Sequence, residues 1–243
     1  MLSIQNYWIH ESVFKRHAFL SNTMSLKYWK VTLSNMPFYV LKMGGSLMPC
    51  SRELVRSLLA LGEEGYRFLV VPGGGPMADL VRQIYSSCQL SQEGAHWMAI
   101  LAMEQYAYFL ADGTGATLTS EIRRPQGNSS LDILLPYQAL LKDDWGLKHN
   151  WDYTSDAVAA LIAAQLSAPL IKATDVDGVI MDGIVAPELP AARLLGRESC
   201  IDQGTVRLLC GRLKGMKMMV LNGSDTGRFI KALREGRAGT IIT

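Results

Sequence analysis

The chain has 243 residues, 49% of them hydrophobic and 19% charged, with a formal net charge of +2. That is enough to bury one good core, and the near balance of charge gives no electrostatic case for nucleic acid or an anionic membrane as partner. No run of 18 or more apolar residues is present to span a bilayer, and the four cysteines (Cys50, Cys88, Cys200, Cys210) form no CxxC pair. Both facts argue against a membrane span, a disulfide framework or a zinc site, and favour a cytoplasmic chain with reduced thiols.

The first 35 residues differ from the rest. They carry Lys15, Arg16, Lys27 and Lys30 against the single acid Glu11, and show neither helical nor alternating periodicity. They lack the long apolar segment and small-residue cleavage site of a targeting signal. The expected organisation is a poorly ordered extension over 1–35 and a single domain over 36–243, with Met36 an alternative first residue. A chain starting at Met36 should therefore fold and keep its activity. An insoluble or much less stable truncated protein would count against this division.

From Phe38 the pattern is regular. The apolar run Phe38 to Lys42 predicts a buried strand ending at glycines, and Leu54, Leu58 and Leu61 set a helix over Glu53 to Glu64. Arg67 to Val71 predicts a second strand that also stops at glycines. Met77 to Tyr85 and Ala95 to Leu110 follow with helical spacing, whereas Asp112 to Asn150 is mixed and yields no clear element. Thr154 to Leu166 predicts an alanine-rich helix opened by Thr-Ser-Asp. Further strands are expected over Pro169 to Thr174, Met218 to Leu221 and Gly239 to Ile242, with a short helix over Asp225 to Arg234. Strands alternating with helices imply an α/β domain with a largely parallel sheet, in which ligands bind beyond the carboxyl ends of the strands.

The informative residues are therefore in the loops after Lys42, Val71, Thr174 and Leu221. In Lys42-Met43-Gly44-Gly45-Ser46, glycines let backbone amides approach an anion, and Lys42 adds a point charge. In Pro72-Gly73-Gly74-Gly75-Pro76, a second strand–glycine–helix turn can hold another anion at a helix N-terminus. Two such turns in consecutive strand–helix units suggest two phosphate positions facing each other. GxxxxGK[ST] is absent, and the second loop does not extend to GxGxxG because its sixth position is Ala78, so neither a P-loop nor a dinucleotide fingerprint applies. Asp156 can be read as a helix-start acid, or as a carboxylate that orients Lys42 or holds a metal on phosphates. Asp175 and Asp177, in Thr174-Asp175-Val176-Asp177-Gly178-Val179, can accept from a ribose or an adenine amino group, or cap a turn. Asn222-Gly223-Ser224-Asp225 reads as a plain turn into a helix.

In order, KxGGS, GGG, a Thr-Ser-Asp helix start and DVDGV resemble the motifs of the amino acid kinase superfamily, over Phe38 to Thr243. That superfamily includes acetylglutamate, aspartate, uridylate, isopentenyl phosphate and carbamate kinases. The resemblance implies a three-layer αβα sandwich with a largely parallel central sheet, ATP with Mg2+ as donor, and in-line transfer between two anions. It implies Lys42 and Asp156 as catalytic residues, and Gly44, Gly45, Ser46, Asp175, Asp177 and Gly178 at the nucleotide. Gly73, Gly74 and Gly75 would hold the acceptor. A narrower resemblance, to the kinases of methanofuran biosynthesis, is carried by Leu90-Ser91, His96-Trp97-Met98-Ala99-Ile100, Met103-Glu104-Gln105-Tyr106, Asp152-x-Thr154-Ser155-Asp156 and Val220-Leu221-Asn222-Gly223. Those kinases extend (aminomethyl)furanmethanol phosphate to its diphosphate.

On that resemblance the partner is a small phosphorylated substrate, with His96 at its phosphate and Asp79 or Glu104 at its ammonium. Each of these has an alternative: His96 as a core histidine, the two acids as solvated helical charges. No metal ligand is expected from the protein, and a homo-oligomer is left open. One departure stands out. Many members have a second catalytic lysine in a GGM(x)nK context, but here the region reads Ile201-Asp202-Gln203-Gly204. Lys172, Lys214 and Lys217 are the nearby lysines, with no role assignable. The other acceptors that fit are uridylate, isopentenyl phosphate or an amino acid. A non-catalytic nucleotide or oxyanion store of the same fold is the alternative from another class, disfavoured by Lys42 and Asp156 occurring together.

Overall fold

The computed structural model describes residues 37–236 and 238–243; the proposed extension over residues 1–35 lies outside them. The first strand, β1 (Phe38–Met43), is wholly buried, as a run without polar alternation requires in the middle of a parallel sheet. It is followed by α1 (Ser51–Ala60), β2 (Arg67–Pro72), α2 (Gly75–Ser87) and α3 (Gln92–Ala111). Then come β3 (Thr117–Thr119), β4 (Leu131–Leu134), α4 (Pro136–Leu140), α5 (Ser155–Gln165) and β5 (Leu170–Thr174). The chain ends with the two-residue strands β6 (Ile180–Met181), β7 (Ile184–Val185) and β8 (Glu188–Leu189), α6 (Gln203–Cys210), β9 (Met218–Asn222), α7 (Thr226–Glu235) and β10 (Thr240–Ile242).

Among the described residues eight strands form one sheet in the order β3-β4-β2-β1-β5-β9-β10-β8, and β6 pairs with β7 as a separate hairpin. The sheet is parallel from β3 through β9; β10 runs antiparallel to β9, and β8 runs parallel to β10. With helices on its faces it is the expected αβα sandwich. Strand alternation divides the core. Phe38, Val40, Leu69, Val71, Leu170, Met218 and Val220 share one cluster with Ala157 to Ala163 of α5. Helix α5 is apolar on all sides and buried from Ser155 to Ala163, so its opening residues are carried into the interior.

The opaque stretch between 112 and 150 supplies β3, β4 and α4, all short. Helix α3 starts three residues before its expected first residue, because the Ser91 hydroxyl accepts from Gly94 N at 3.0 Å and caps it. The expected cap of α5 is different in kind. The Thr154 hydroxyl is not given to its own helix but donates to Asp202 Oδ2 at 2.6 Å, and Thr154 N donates to the same oxygen at 2.9 Å. Asp202 meanwhile caps α6 by accepting from Thr205 N at 2.6 Å. One carboxylate thus joins the starts of two helices.

Candidate active site

In the pairing of β1 with β5, Lys42 lies opposite Lys172. Neighbouring residues in register project to the same face, so two lysines from adjacent strands enter one space. Both are buried, which side chains of this type tolerate only when paired. The partner is Asp156, in the first turn of α5: Lys42 Nζ lies 2.9 Å from Oδ1, and Lys172 Nζ donates to Oδ2 and to the Cys200 carbonyl. Asp202 N approaches Oδ2 at 3.4 Å.

Two cations share one carboxylate, and their titration reflects it. Burial raises the Asp156 carboxyl, but the charges of Lys172 and Lys42 outweigh it and hold the group well below the usual carboxylate range. Burial alone would lower Lys172; the attraction of Asp156 overrides it, and the net shift is upward. Lys42 moves the other way. Burial lowers it, Asp156 offsets only part of that, and repulsion from Lys172 adds to the fall. The opposite shifts fit the geometry, since Lys172 has two acceptors, whereas Lys42 has Asp156 Oδ1 at 2.9 Å. Lys42 therefore keeps donors for another oxygen, and the triad carries one uncompensated positive charge. Asp202 is pushed upward by burial and by its proximity to Asp156.

The two glycine loops meet above this triad. A Cβ on Gly45 would lie 2.4 Å from Gly75 Cα, and one on Gly73 would sit 3.0 Å from the Met43 carbonyl, so the loops touch backbone to backbone. Gly75 has φ +54°, a left-handed conformation that other residues adopt at a cost. The Tyr106 hydroxyl donates to the Gly44 carbonyl at 3.3 Å and ties α3 to the first loop. Below and beside the loops opens a cleft of about 610 Å³. Lys42, Lys172, Asp156, Gly45, Ser46 and Gly73 to Gly75 line it, with Asp79, Arg82, His96, Ile100, Met103, Trp151 and Tyr153 farther along.

Not every expected residue reaches this cleft. Glu104 does not line it; its carboxylate accepts from Gln138 N at 3.2 Å and Gln138 Nε2 at 2.9 Å and so fastens α4. Asp79 does line it, but is exposed and paired with Arg82 at 2.5 Å. Asp175 accepts from the Ser46 hydroxyl at 2.9 Å, which links the first loop to the end of β5. Asp177 lines a separate cleft with Asn222, whose side-chain amide donates to it at 2.9 Å. The turn at Asn222 is thus more than a plain connection: its side chain bridges to the Asp177 loop. Gly178 has φ +150°, and a Cβ there would meet Thr240 Oγ1 at 2.5 Å, so it has a packing reason of its own.

A cradle of closely apposed glycine amides over uncompensated positive charge fits the polyphosphate of ATP. Among the described residues no group of three His, Cys, Asp or Glu side chains is placed to hold a metal. Mg2+, which keeps waters and binds substrate phosphates, would thus arrive mainly through the nucleotide.

A model of the amino acid kinase family matches residues 37–126. Over 150 residues the chain is 34% identical to the [5-(aminomethyl)furan-3-yl]methyl phosphate kinase of Methanocaldococcus jannaschii, an alignment covering 58% of this chain and 67% of that protein. The chain belongs to the amino acid kinase family. It is also 26% identical over 211 residues to the chloroplast uridylate kinase PUMPKIN of Arabidopsis thaliana, covering 78% of this chain and 60% of that one. A crystal structure of uridylate kinase from Archaeoglobus fulgidus superposes with a TM-score of 0.63 at 22% identity, over 84% of this chain and 99% of that one. At that identity the likeness is one of fold.

Three residues of this kinase's site and its surroundings carry no assigned role in the sequence. Lys172 had a visible signal: a lysine inside an apolar strand run, just before the Thr-Asp turn, in the position Lys42 holds before its glycines. Asp202 preceded no obvious helix, because α6 is only eight residues long. His149 sat in the unreadable stretch before α5.

Proposed function

We propose that this member of the amino acid kinase family transfers the γ-phosphoryl group of ATP to the phosphate of a small acceptor, and that the acceptor is [5-(aminomethyl)furan-3-yl]methyl phosphate. The observation that carries the transfer is the Lys42–Asp156–Lys172 triad beneath two touching glycine loops, with one positive charge unbalanced. An acceptor phosphate oxygen forms the new bond to phosphorus while the bond from that phosphorus to the β-phosphate oxygen breaks, giving a diphosphate and ADP. ATP supplies the phosphoryl group, and Mg2+ on its phosphates would spread their charge.

The chain's contribution is positioning and charge. Lys42 donates to the transferring oxygens, Asp156 holds Lys42 and Lys172 in one place, and Lys172 takes the part of the second lysine missing after the nucleotide loop. Gly44, Gly45 and Ser46 take the donor side, with Asp175, Asp177 and Gly178 toward the nucleoside. Gly73 to Gly75 hold the acceptor through amides at the start of α2. No general base is required, because an acceptor phosphate is already ionised.

The furan acceptor is supported by the 34% identity to a kinase of that substrate and by a cleft lined by Ile100, Met103 and Trp151, suited to a flat ring. Uridylate is the second reading, supported by the 26% identity to PUMPKIN. An ADP-release assay over phosphorylated acceptors separates the two. The parent should use the aminomethyl furan phosphate well and its des-amino analogue poorly. Asp79→Asn should lower use of the amine by about fivefold at most, a modest effect because Asp79 is solvent-exposed and already paired with Arg82; Glu104→Gln should change it little. Equal use of both furans by the parent would sink the furan assignment and promote uridylate.

A further inference from the structure

The family resemblance implies His96 at the acceptor's phosphate, with a core histidine as the alternative; its surroundings favour the other end of the acceptor. His96 is 7% exposed, lines the cleft, and has a buried Nε2 with no hydrogen-bond partner. An orphaned buried nitrogen costs stability, and a bound ligand is a partner that the cleft leaves open to it. His96 lies on the cleft side of α3 seven residues before Met103, about 10 Å along the axis at 1.5 Å per residue. Since Tyr106, three residues beyond Met103, bonds to Gly44, the His96 end is remote from the first glycine loop.

Behind His96 stands His149, in the loop between α4 and α5. The two rings stack with centroids 3.9 Å apart and planes 8° from parallel. His149 Nδ1 lies 2.5 Å from Glu93 Oε2 and its Nε2 2.9 Å from Asp144 Oδ2. Glu93 also accepts from Trp97 Nε1 at 2.7 Å, and the Trp97 ring meets both histidines edge-on. The His149 ring is thus clasped between α3 and the loop, and does not itself line the cleft.

We propose that His149 is a positioning residue for His96, and that His96 accepts a hydrogen bond at its unpartnered ring nitrogen from the amine end of the bound acceptor. The identity of that end rests on the furan reading above. The clasp suits it in two ways. With His149 doubly paired to carboxylates and protonated, His149, Glu93 and Asp144 sum to one negative charge, favourable for an ammonium nearby. His96 itself stays neutral and keeps a lone pair. Burial lowers it to about 4, and the facing charge of His149 adds to this against the smaller opposing pull of Glu93 and Asp144. Asp79 and Arg82, also lining the cleft, are occupied with each other.

The test pairs NMR of the His96 ring with steady-state kinetics in the parent, His149→Phe, Asp144→Asn and His96→Phe. His149→Phe keeps an aromatic face while removing the facing charge, so His96 should titrate upward from about 4 toward the ordinary 6.5. The parent's acceptor KM should be flat at neutral pH and rise only near pH 4. In His149→Phe that rise should move up in pH, because protonated His96 has no lone pair for an ammonium. His96→Phe should raise KM for the amine about 10–100-fold with kcat nearly unchanged, and leave the des-amino analogue unaffected. Asp144→Asn removes a carboxylate whose charge raises His96, so it should shift the profile in the opposite direction from His149→Phe by a smaller amount, and it provides the readout if the latter does not fold. A His96 titration unmoved in both variants overturns the positioning role. A His96→Phe protein that uses amine and des-amino furans in the parent's ratio overturns the hydrogen bond. If the parent instead ignores both furans, the furan reading has failed and the amine bond with it, while the His149 role is still decided by the NMR titration.

Discussion

Asp156→Asn should destabilise the domain by about 3–5 kcal/mol, the cost of leaving buried charge without its counter-charge. The reason is specific to this site. Asn keeps the shape, but both Lys42 and Lys172 lose their only carboxylate partner within salt-bridge distance among the described residues. For a chain of this size the loss corresponds to roughly 6–20 °C in Tm. The pH window of the dependence should move as well. In the parent the folded-state Asp156 pKa is depressed, so its contribution is fully present above the unfolded value near 4 and is lost as pH falls into the acid range. In Asp156→Asn the two buried ammoniums titrate below their unfolded value near 10.4, so the variant should regain stability as pH rises toward that value. Urea unfolding of both proteins from pH 3 to 10 measures this. A variant within about 1 kcal/mol of the parent at neutral pH would mean that Asp156 does not hold the two lysines.

Much of this site was legible because it is built on strands whose runs stop abruptly at unusual residues. Phe38 to Lys42 and Arg67 to Val71 have no reason to end in glycine clusters unless a backbone must approach something closely, and here each approaches the other. The central strands and five of the seven α-helices among the described residues were recoverable for a similar reason: long apolar periods decide their own element. What was not legible depends on contacts distant in sequence. Lys172 is one lysine among several until the register of β1 with β5 sets it opposite Lys42. Asp202 precedes a helix too short to show a period, and its partner Thr154 lies 48 residues away. His149 follows tight turns at Trp145 and Gly146, both with positive φ, where no periodicity exists to read. Glu104 erred the other way: its helix was read correctly, but helical spacing alone does not tell which neighbour a polar residue faces.

Lys42→Ala should lower turnover about 10²–10³-fold with the fold intact. Removing one preorganised donor from a developing oxyanion costs about 2.7–4 kcal/mol of transition-state stabilisation, and the effect should fall on kcat more than on KM, because the charge is wanted most during transfer. The fold should survive because the variant leaves Lys172 and Asp156 as a balanced pair. Lys172→Ala should differ. Lys172 gives donors to Asp156 and to the Cys200 carbonyl, so its loss also frees the segment that carries Asp202 into the site. A drop in stability should therefore accompany a smaller loss of turnover. Since both lysines act through one carboxylate, the double variant should lose less than the product of the two single losses. Lys42→Arg should not restore the parent rate, because a planar fork does not replace a compact ammonium in a buried space beside Asp156. Single-turnover rates and urea midpoints for the three alanine variants separate these outcomes. Turnover of Lys42→Ala within about threefold of the parent, well under the ~1.4 kcal/mol of a tenfold change, would remove Lys42 from the transfer step and leave Lys172 as the cation that faces the phosphates.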